Sequence, residues 1–201
     1  CVARFTQNGA FDVSYNGATT FAFAHVKVGR VRVASDGKIR VGAGCPRGPA
    51  AGNMDMCILA LTASLTPDTA FTGSASHYVL IPQIGSERAE FVADLEYLAD
   101  GRVFYVGPCK NKPSATVYSY GCYGSVNPDG THAAGRAAFF VTDYDDYPTQ
   151  VLRGNDGTLL IAGYNKNSAN FYDDRPIFAR LIYNPLGTSS FDSTFNPAGA
   201  Q

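Results

Sequence analysis

The chain repeats itself, and that repetition limits its fold more than any other feature. DGKIRVGAGC at Asp36–Cys45, DGRVFYVGPC at Asp100–Cys109 and DGTLLIAGYN at Asp156–Asn165 share one plan: an Asp-Gly turn, a short apolar strand, a glycine, then a cysteine or its replacement. A second motif follows each copy, in Cys57–Leu61, Cys122–Val126 and Ile177–Leu181, and Cys1–Phe5 matches it at the chain start. The tails of the first and last copies agree too. An Asn-containing turn leads to Phe11-Asp12 or Phe191-Asp192, then to Tyr15-Asn16 or Phe195-Asn196. Self-similarity at a period of about 60 residues marks an architecture in which each unit buries its apolar face against the next.

Within a unit the local signals are those of four short strands. The first enters the Asp-Gly turn, at Val26–Ala34 or Phe91–Leu98, and the second leaves it, at Lys38–Val41, Arg102–Val106 and Thr158–Ala162. Asp-Gly predicts a tight type I′ hairpin, whose two central residues both need positive φ. The third strand is expected at Cys57–Leu61, Cys122–Val126 and Phe178–Tyr183, and the fourth at Thr20–Ala24, Tyr78–Ile81 and Ala137–Thr142. The 21 Gly, 11 Pro, 13 Phe and 12 Tyr suit an all-β chain with many turns. Four antiparallel strands in a unit of this length describe a blade of a β-propeller.

These residues resemble the delta-60 repeat of bacterial secreted and surface proteins. The DGKI start, the Ala-Arg strand and the Asn–Gly–Asp–Phe tail carry the likeness, best around Asp36, Asp156 and Phe178 and loosest across Gly124–Arg136. The resemblance covers essentially the whole chain and implies a β-propeller, without implying a particular activity. The boundaries read as a half blade over 1–24, blades over 25–82 and 83–142, and a blade lacking a complete last strand over 143–201.

Cysteine positions follow the repeat. Cys45 and Cys57 flank one loop, Cys109 and Cys122 flank its equivalent, and the third copy has Asn165 and Ile177, so both cysteines are absent together. Joint presence or absence is what a disulfide requires, and adjacent antiparallel strands bring Cβ atoms near bonding range. A zinc site would want CxxC-type spacing and four convergent ligands, which the sequence lacks. Two disulfides are therefore expected, and with them a secreted, periplasmic or cell-surface location. Cys1 falls where Cys57 and Cys122 fall, so its partner is expected upstream of the first residue, as is any leader.

On this register the chain holds about three and a half blades, too few to close a ring. The expected completion is another fragment of the same propeller, separated by proteolysis and held through Cys1. A second copy closing a ring of about seven blades, and a lipidated Cys1, are the alternatives.

Only 16% of residues are charged and the net charge is −1, with no like-charge run, which excludes a nucleic-acid surface. No apolar stretch approaches the roughly 20 residues of a membrane helix. Catalytic constellations are sparse. Gly-x-Ser-x-Gly is absent, Gly42, Gly44 and Gly48 lack dinucleotide-loop spacing, and His25, His77 and His132 fall at different points of their units. The acidic clusters Asp143, Asp145, Asp146 and Asp173-Asp174 are read as loop residues, either solvated or able to bind Ca²⁺ with backbone carbonyls; no other cofactor is expected.

The innermost strand of each blade should line the channel. Arg30, Asp94 and Gln150 occupy one equivalent position and Arg32, Glu96 and Leu152 the next, separated by the apolar Val31, Leu95 and Val151. Arg beside Asp and Arg beside Glu predict either ion pairing between blades or a polar ligand site at the channel rim. The resulting expectation is a non-enzymatic binding or scaffold module for a protein or glycan partner. The alternative is a hydrolase or lyase whose active site is completed by blades outside this chain.

Overall fold

The computed structural model describes residues 5–10, 12, 27–46, 54–73, 77–81, 90–110, 119–133, 137–139, 145–166, 174–184, 189–192 and 194–195. Cys1, His25, Asp143, Asp173 and most of the expected half blade over 1–24 lie outside them. The described chain is all-β, in three four-stranded antiparallel sheets. The first holds β1 (Lys27–Val33), β2 (Ile39–Pro46), β3 (Met54–Leu61) and β4 (Tyr78–Leu80), with a short helix α1 (Thr69–Thr72) between its last two strands. The second holds β5 (Asp94–Tyr97), β6 (Val103–Lys110), β7 (Ser119–Val126) and β8 (Ala137–Phe139). The third holds β9 (Asp145–Arg153), β10 (Leu159–Lys166), β11 (Asp174–Ile182) and β12 (Ser190–Phe191). Each sheet runs in chain order from one edge to the other.

The Asp-Gly hairpins are present, but their turn type differs from the type I′ expectation. Gly37, Gly101 and Gly157 have φ of 80°, 83° and 81°, whereas Asp36, Asp100 and Asp156 do not enter the left-handed region. In the first turn the Gly37 N–H donates to Ala34 O at 2.9 Å and the Ala34 N–H to Lys38 O at 2.8 Å. This is a type I turn closed by a left-handed glycine, the three-residue hairpin. Asp is required for another reason: its Oδ1 accepts the N–H two residues on, from Lys38 at 3.1 Å, Arg102 at 3.1 Å and Thr158 at 3.0 Å. Asn127–Thr131 makes the same turn with Gly130 at φ 78°. Thr62–Thr66 makes it with Leu65, the single non-glycine at positive φ among the described residues.

The second and third strands run further than the apolar runs alone indicate. β2 continues through Gly42 and Gly44 to Pro46, and β6 and β10 do likewise, because the glycines admit a neighbouring backbone. A Cβ on Gly107 would lie 2.0 Å from Phe91 O, and one on Gly163 would lie 2.2 Å from Tyr147 O. The segment that leads into β5 thus lies directly against the glycines of β2 and β6, and β9 against Gly163 of β10.

The sheets stack face to face. Met56, Ile58, Phe71, Leu95, Val103 and Tyr105 fill the space between the first and second. Phe104, Val106, Tyr123, Val151, Leu159 and Ile161 fill the space between the second and third. A third cluster, around Val41, Leu59 and Leu61, lies on the other side of the first sheet. The segment before β5 stitches two sheets together: the Glu90 and Val92 N–H groups donate to Met54 O and Ala43 O, while the Ala93 N–H donates to Val106 O.

Both expected disulfides form, Cys45–Cys57 and Cys109–Cys122, each with Cα atoms 5.8 Å apart. They are diagonal: Cys45 stands opposite Asp55 and Cys57 opposite Ala43. Asn165 and Ile177 occupy the same diagonal in the third sheet, opposite Arg175 and Gly163. Val31 departs from the expected burial. Leu95 and Val151 are fully buried between sheets, but Val31 is 44% exposed, since no sheet among the described residues covers that face of β1.

Candidate functional site

Inner strands β1, β5 and β9 run side by side, and one carboxylate joins all three. β1 carries an irregularity between Val28 and Val31, and β9 one between Gln150 and Pro148, both opposite their second strands. Such bulges re-aim side chains at the inner rim. Asp94, at the start of β5, has a side chain 1% exposed. Its carboxylate lies 3.1 Å from Arg32 Nη2 and 3.5 Å from Arg30 Nε, both on the first sheet. Within its own sheet it accepts the Leu95 N–H at 2.8 Å, and from the third sheet the Val151 N–H at 3.0 Å. Glu96 lies 3.5 Å from Arg32 Nε.

Arg beside Asp and Arg beside Glu are therefore ion pairs between sheets. A buried carboxylate with these partners is satisfied by charge and by hydrogen bonding together. The third member of each register position does not join. Gln150 and Leu152 point away from the second sheet, Leu152 is 55% exposed, and the backbone N–H of Val151 takes their place.

Beside this junction a cleft of about 610 Å³ opens between the first and second sheets at their Asp-Gly ends. Arg32, Lys38, Arg40, Glu96, Tyr97 and Arg153 are among its lining residues. Arg40 is buried in its wall. Its guanidinium sits 4.1 Å over the Phe71 ring, and Nη2 reaches Asp68 Oδ2 at 2.7 Å. Asp68, positioned to cap α1, gives its carboxylate to Arg40 and makes no cap hydrogen bond. The Tyr97 hydroxyl donates to Lys38 O at 3.4 Å, and burial pushes its pKa up to about 12. Arg153 is exposed at the mouth, and no ion pair or hydrogen bond holds its side chain among the described residues. Sequence reading found Arg32 and Glu96 but missed Arg40, Asp68, Tyr97 and Arg153. Only the packing of two sheets brings them together, although Arg153 and Arg32 both stand near an Asp-Gly turn in sequence.

The remaining candidates are dispersed. Asp145 and Asp146 begin β9 and Asp174 begins β11, so these acids belong to strands and not to the connections expected for a calcium loop. No group of three His, Cys, Asp or Glu suited to a metal ion occurs among the described residues. His132 is a structural tie, with Nε2 3.1 Å from Leu80 O. Asn165 is buried, and neither its amide oxygen nor its amide nitrogen has a hydrogen-bond partner among the described residues. No helix among the described residues is long and apolar enough to cross a membrane.

No family model and no curated protein matches this chain. Among solved structures, an alpha-L-arabinanase mutant from Cellvibrio cellulosa is similar at a TM-score of 0.46 and 9% identity, over 84% of this chain. The present chain spans 57% of the length of that structure.

Proposed function

We propose that the chain is a segment of an exported β-propeller of the delta-60 repeat type, acting as a non-enzymatic binding or scaffold module. Its ligand is a protein or glycan held at the cleft beside the inner strands. The observation that carries this reading is the occupation of the inner carboxylates. Asp94 is held by Arg30, Arg32 and two backbone N–H groups, and Glu96 stands against Arg32. A general acid or base needs a carboxyl whose proton can move to substrate, and a carboxylate fixed by two arginines is poorly suited to that work.

Completion by another fragment or a second copy is supported by the outer face of the third sheet. Leu152, Phe178, Ile182 and Tyr164 are exposed there, at 55% and 54% for the first two. Tyr123, which holds the position of Phe178 on the second sheet, is buried against the third. Large exposed apolar side chains gathered on one sheet face mark an interaction surface. The two cystines suit an oxidising compartment.

Two measurements test the proposal. Incubation with a panel of polysaccharides should release no new reducing ends and no unsaturated products. Turnover that Asp94→Asn or Glu96→Gln abolishes would overturn the non-enzymatic reading. Light scattering of the native material, reduced and non-reduced, should show mass beyond a single chain; a lone chain that keeps its fold would overturn the completion.

A further inference from the structure

We infer that the cleft between the first two sheets takes an acidic oligosaccharide, with one anionic group of the sugar seated at Arg153. This rests on the binding-module reading above and gives that module its ligand class.

The argument begins with the partners of each charged group around the cleft. Lys38 is paired with Asp36 at 3.5 Å, Arg40 with Asp68 at 2.7 Å, and Arg32 with Asp94 and Glu96 at 3.1 and 3.5 Å. Once these pairs are set aside, Arg153 is the lining cation left over among the described residues. Arg153 is exposed, so the cleft offers one free positive charge on a planar fork of N–H donors, which matches a carboxylate or sulfate.

The rest of the lining favours a sugar over a peptide. A peptide that adds to a sheet as a strand is held by main-chain bonds to a free edge. This cleft lies between two sheet faces at the strand ends, walled by the turn residues Ser35, Asp36 and Pro128. It presents side chains instead: the half-buried ring of Tyr97, the Ser35 hydroxyl, and guanidinium–carboxylate pairs that can both donate to and accept from hydroxyl groups. Its volume, about 610 Å³, is that of a small-ligand site.

Calorimetric titration of the native chain at low ionic strength tests the inference. The probes are uronate oligosaccharides, their carboxyl-reduced counterparts, sulfated oligosaccharides and an oligoglutamate peptide. Binding is expected to an acidic sugar, uronate or sulfated, with the stronger of the two identifying the anionic group. Carboxyl reduction of the uronate, or Arg153→Gln in the protein, should weaken binding about tenfold, the cost of one charge-assisted contact. Arg153→Lys should recover part of that loss. Arg153→Gln should leave the urea midpoint unchanged, because the side chain holds nothing in the fold. Equal affinity for acidic and reduced sugars overturns the inference while leaving a binding module. Equal affinity for oligoglutamate overturns the glycan class. Binding insensitive to Arg153→Gln, or no binding to any of the saccharides, overturns the site.

Discussion

Asp94 ties three sheets together, so its replacement by the isosteric amide is the most informative single change. In Asp94→Asn the side-chain volume is kept and the charge is lost. The carboxylate now accepts the Leu95 and Val151 N–H groups on separate oxygens while facing Arg32 and Arg30. An amide has one acceptor oxygen, so one backbone donor meets an NH₂ and loses a charge-assisted bond, at about 1.5 kcal/mol. Arg32, with a side chain 23% exposed, loses its closest partner but keeps Glu96 and some solvent. Breaking a fully buried pair costs roughly 3–5 kcal/mol, and partial solvation reduces this to about 1.5 kcal/mol here. Arg30, 48% exposed and 3.5 Å away, adds little. The expected loss is about 3 kcal/mol, or roughly 6–12 °C in Tm for a chain of this size. Urea unfolding followed by tyrosine fluorescence measures it, the chain having 12 Tyr and no Trp. A double-mutant cycle of Asp94→Asn with Arg32→Met should return a coupling of about 1 kcal/mol or more. A single variant within about 0.5 kcal/mol of the parent, or a cycle that closes to zero, would refute the claim that this carboxylate clamps the sheets.

Three further outcomes follow from other parts of the structure. Leu65 is buried at φ 58°, so both truncations should destabilise. Leu65→Gly should nevertheless be the more stable of the two, by about 1 kcal/mol over Leu65→Ala, because glycine alone escapes the left-handed penalty; the reverse order in urea midpoints would sink the turn assignment. Replacing Asn165 and Ile177 together by cysteine should create a third disulfide on the diagonal used by Cys45–Cys57, removing two free thiols by colorimetric titration and raising stability by about 3 kcal/mol. The third outcome concerns acid. The Thr131, Thr158 and Thr194 hydroxyls and N–H groups hold Asp129, Asp156 and Asp192 below the usual carboxylate range, and with Arg180 bring Asp192 down to about 2. A folded pKa below the unfolded one contributes stability above the unfolded value, which is lost as pH falls through the folded value. The urea midpoint should therefore drop between about pH 4 and pH 2, and Thr194→Val should make that drop smaller.

Much of the fold can be read from the repeat because its signals are local. The Asp-Gly pairs mark hairpins whatever the rest of the chain does, and the apolar run after each can only be a short strand. The turn type was not legible in the same way. Type I′ and the three-residue turn both accept Asp-Gly, and the choice depends on whether Asp enters the left-handed region or uses its carboxylate on the N–H two residues on. The hydroxyl in Asp129-Gly130-Thr131 and Asp156-Gly157-Thr158 was a usable sign of the second. Asp145, Asp146 and Asp174 look like loop acids in sequence, yet the pairing of β9, β10 and β11 draws them into strands.

The cleft was largely illegible for a different reason. Arg40 and Asp68 sit 28 residues apart within one unit, and Arg153 belongs to another unit altogether. Nothing in a linear pattern links them, since their distance is set by how one sheet lies on the next.

By itself, then, the amino-acid sequence determined the strand plan, the equivalence of the three units and the pairing of Cys45 with Cys57 and Cys109 with Cys122. Those follow from turn chemistry, two-residue alternation and covalent bookkeeping within one unit. Only the tertiary structure decided that Asp94 reaches Val151 while Gln150 and Leu152 turn outward, that Val31 is exposed where Leu95 and Val151 are buried, and that Arg153 stands at a cleft with no ion pair among the described residues. The physical reason is that equivalent positions in a repeat share a backbone but not a neighbour: burial and charge pairing depend on the sheet opposite, and the outermost sheets have none on one side among the described residues.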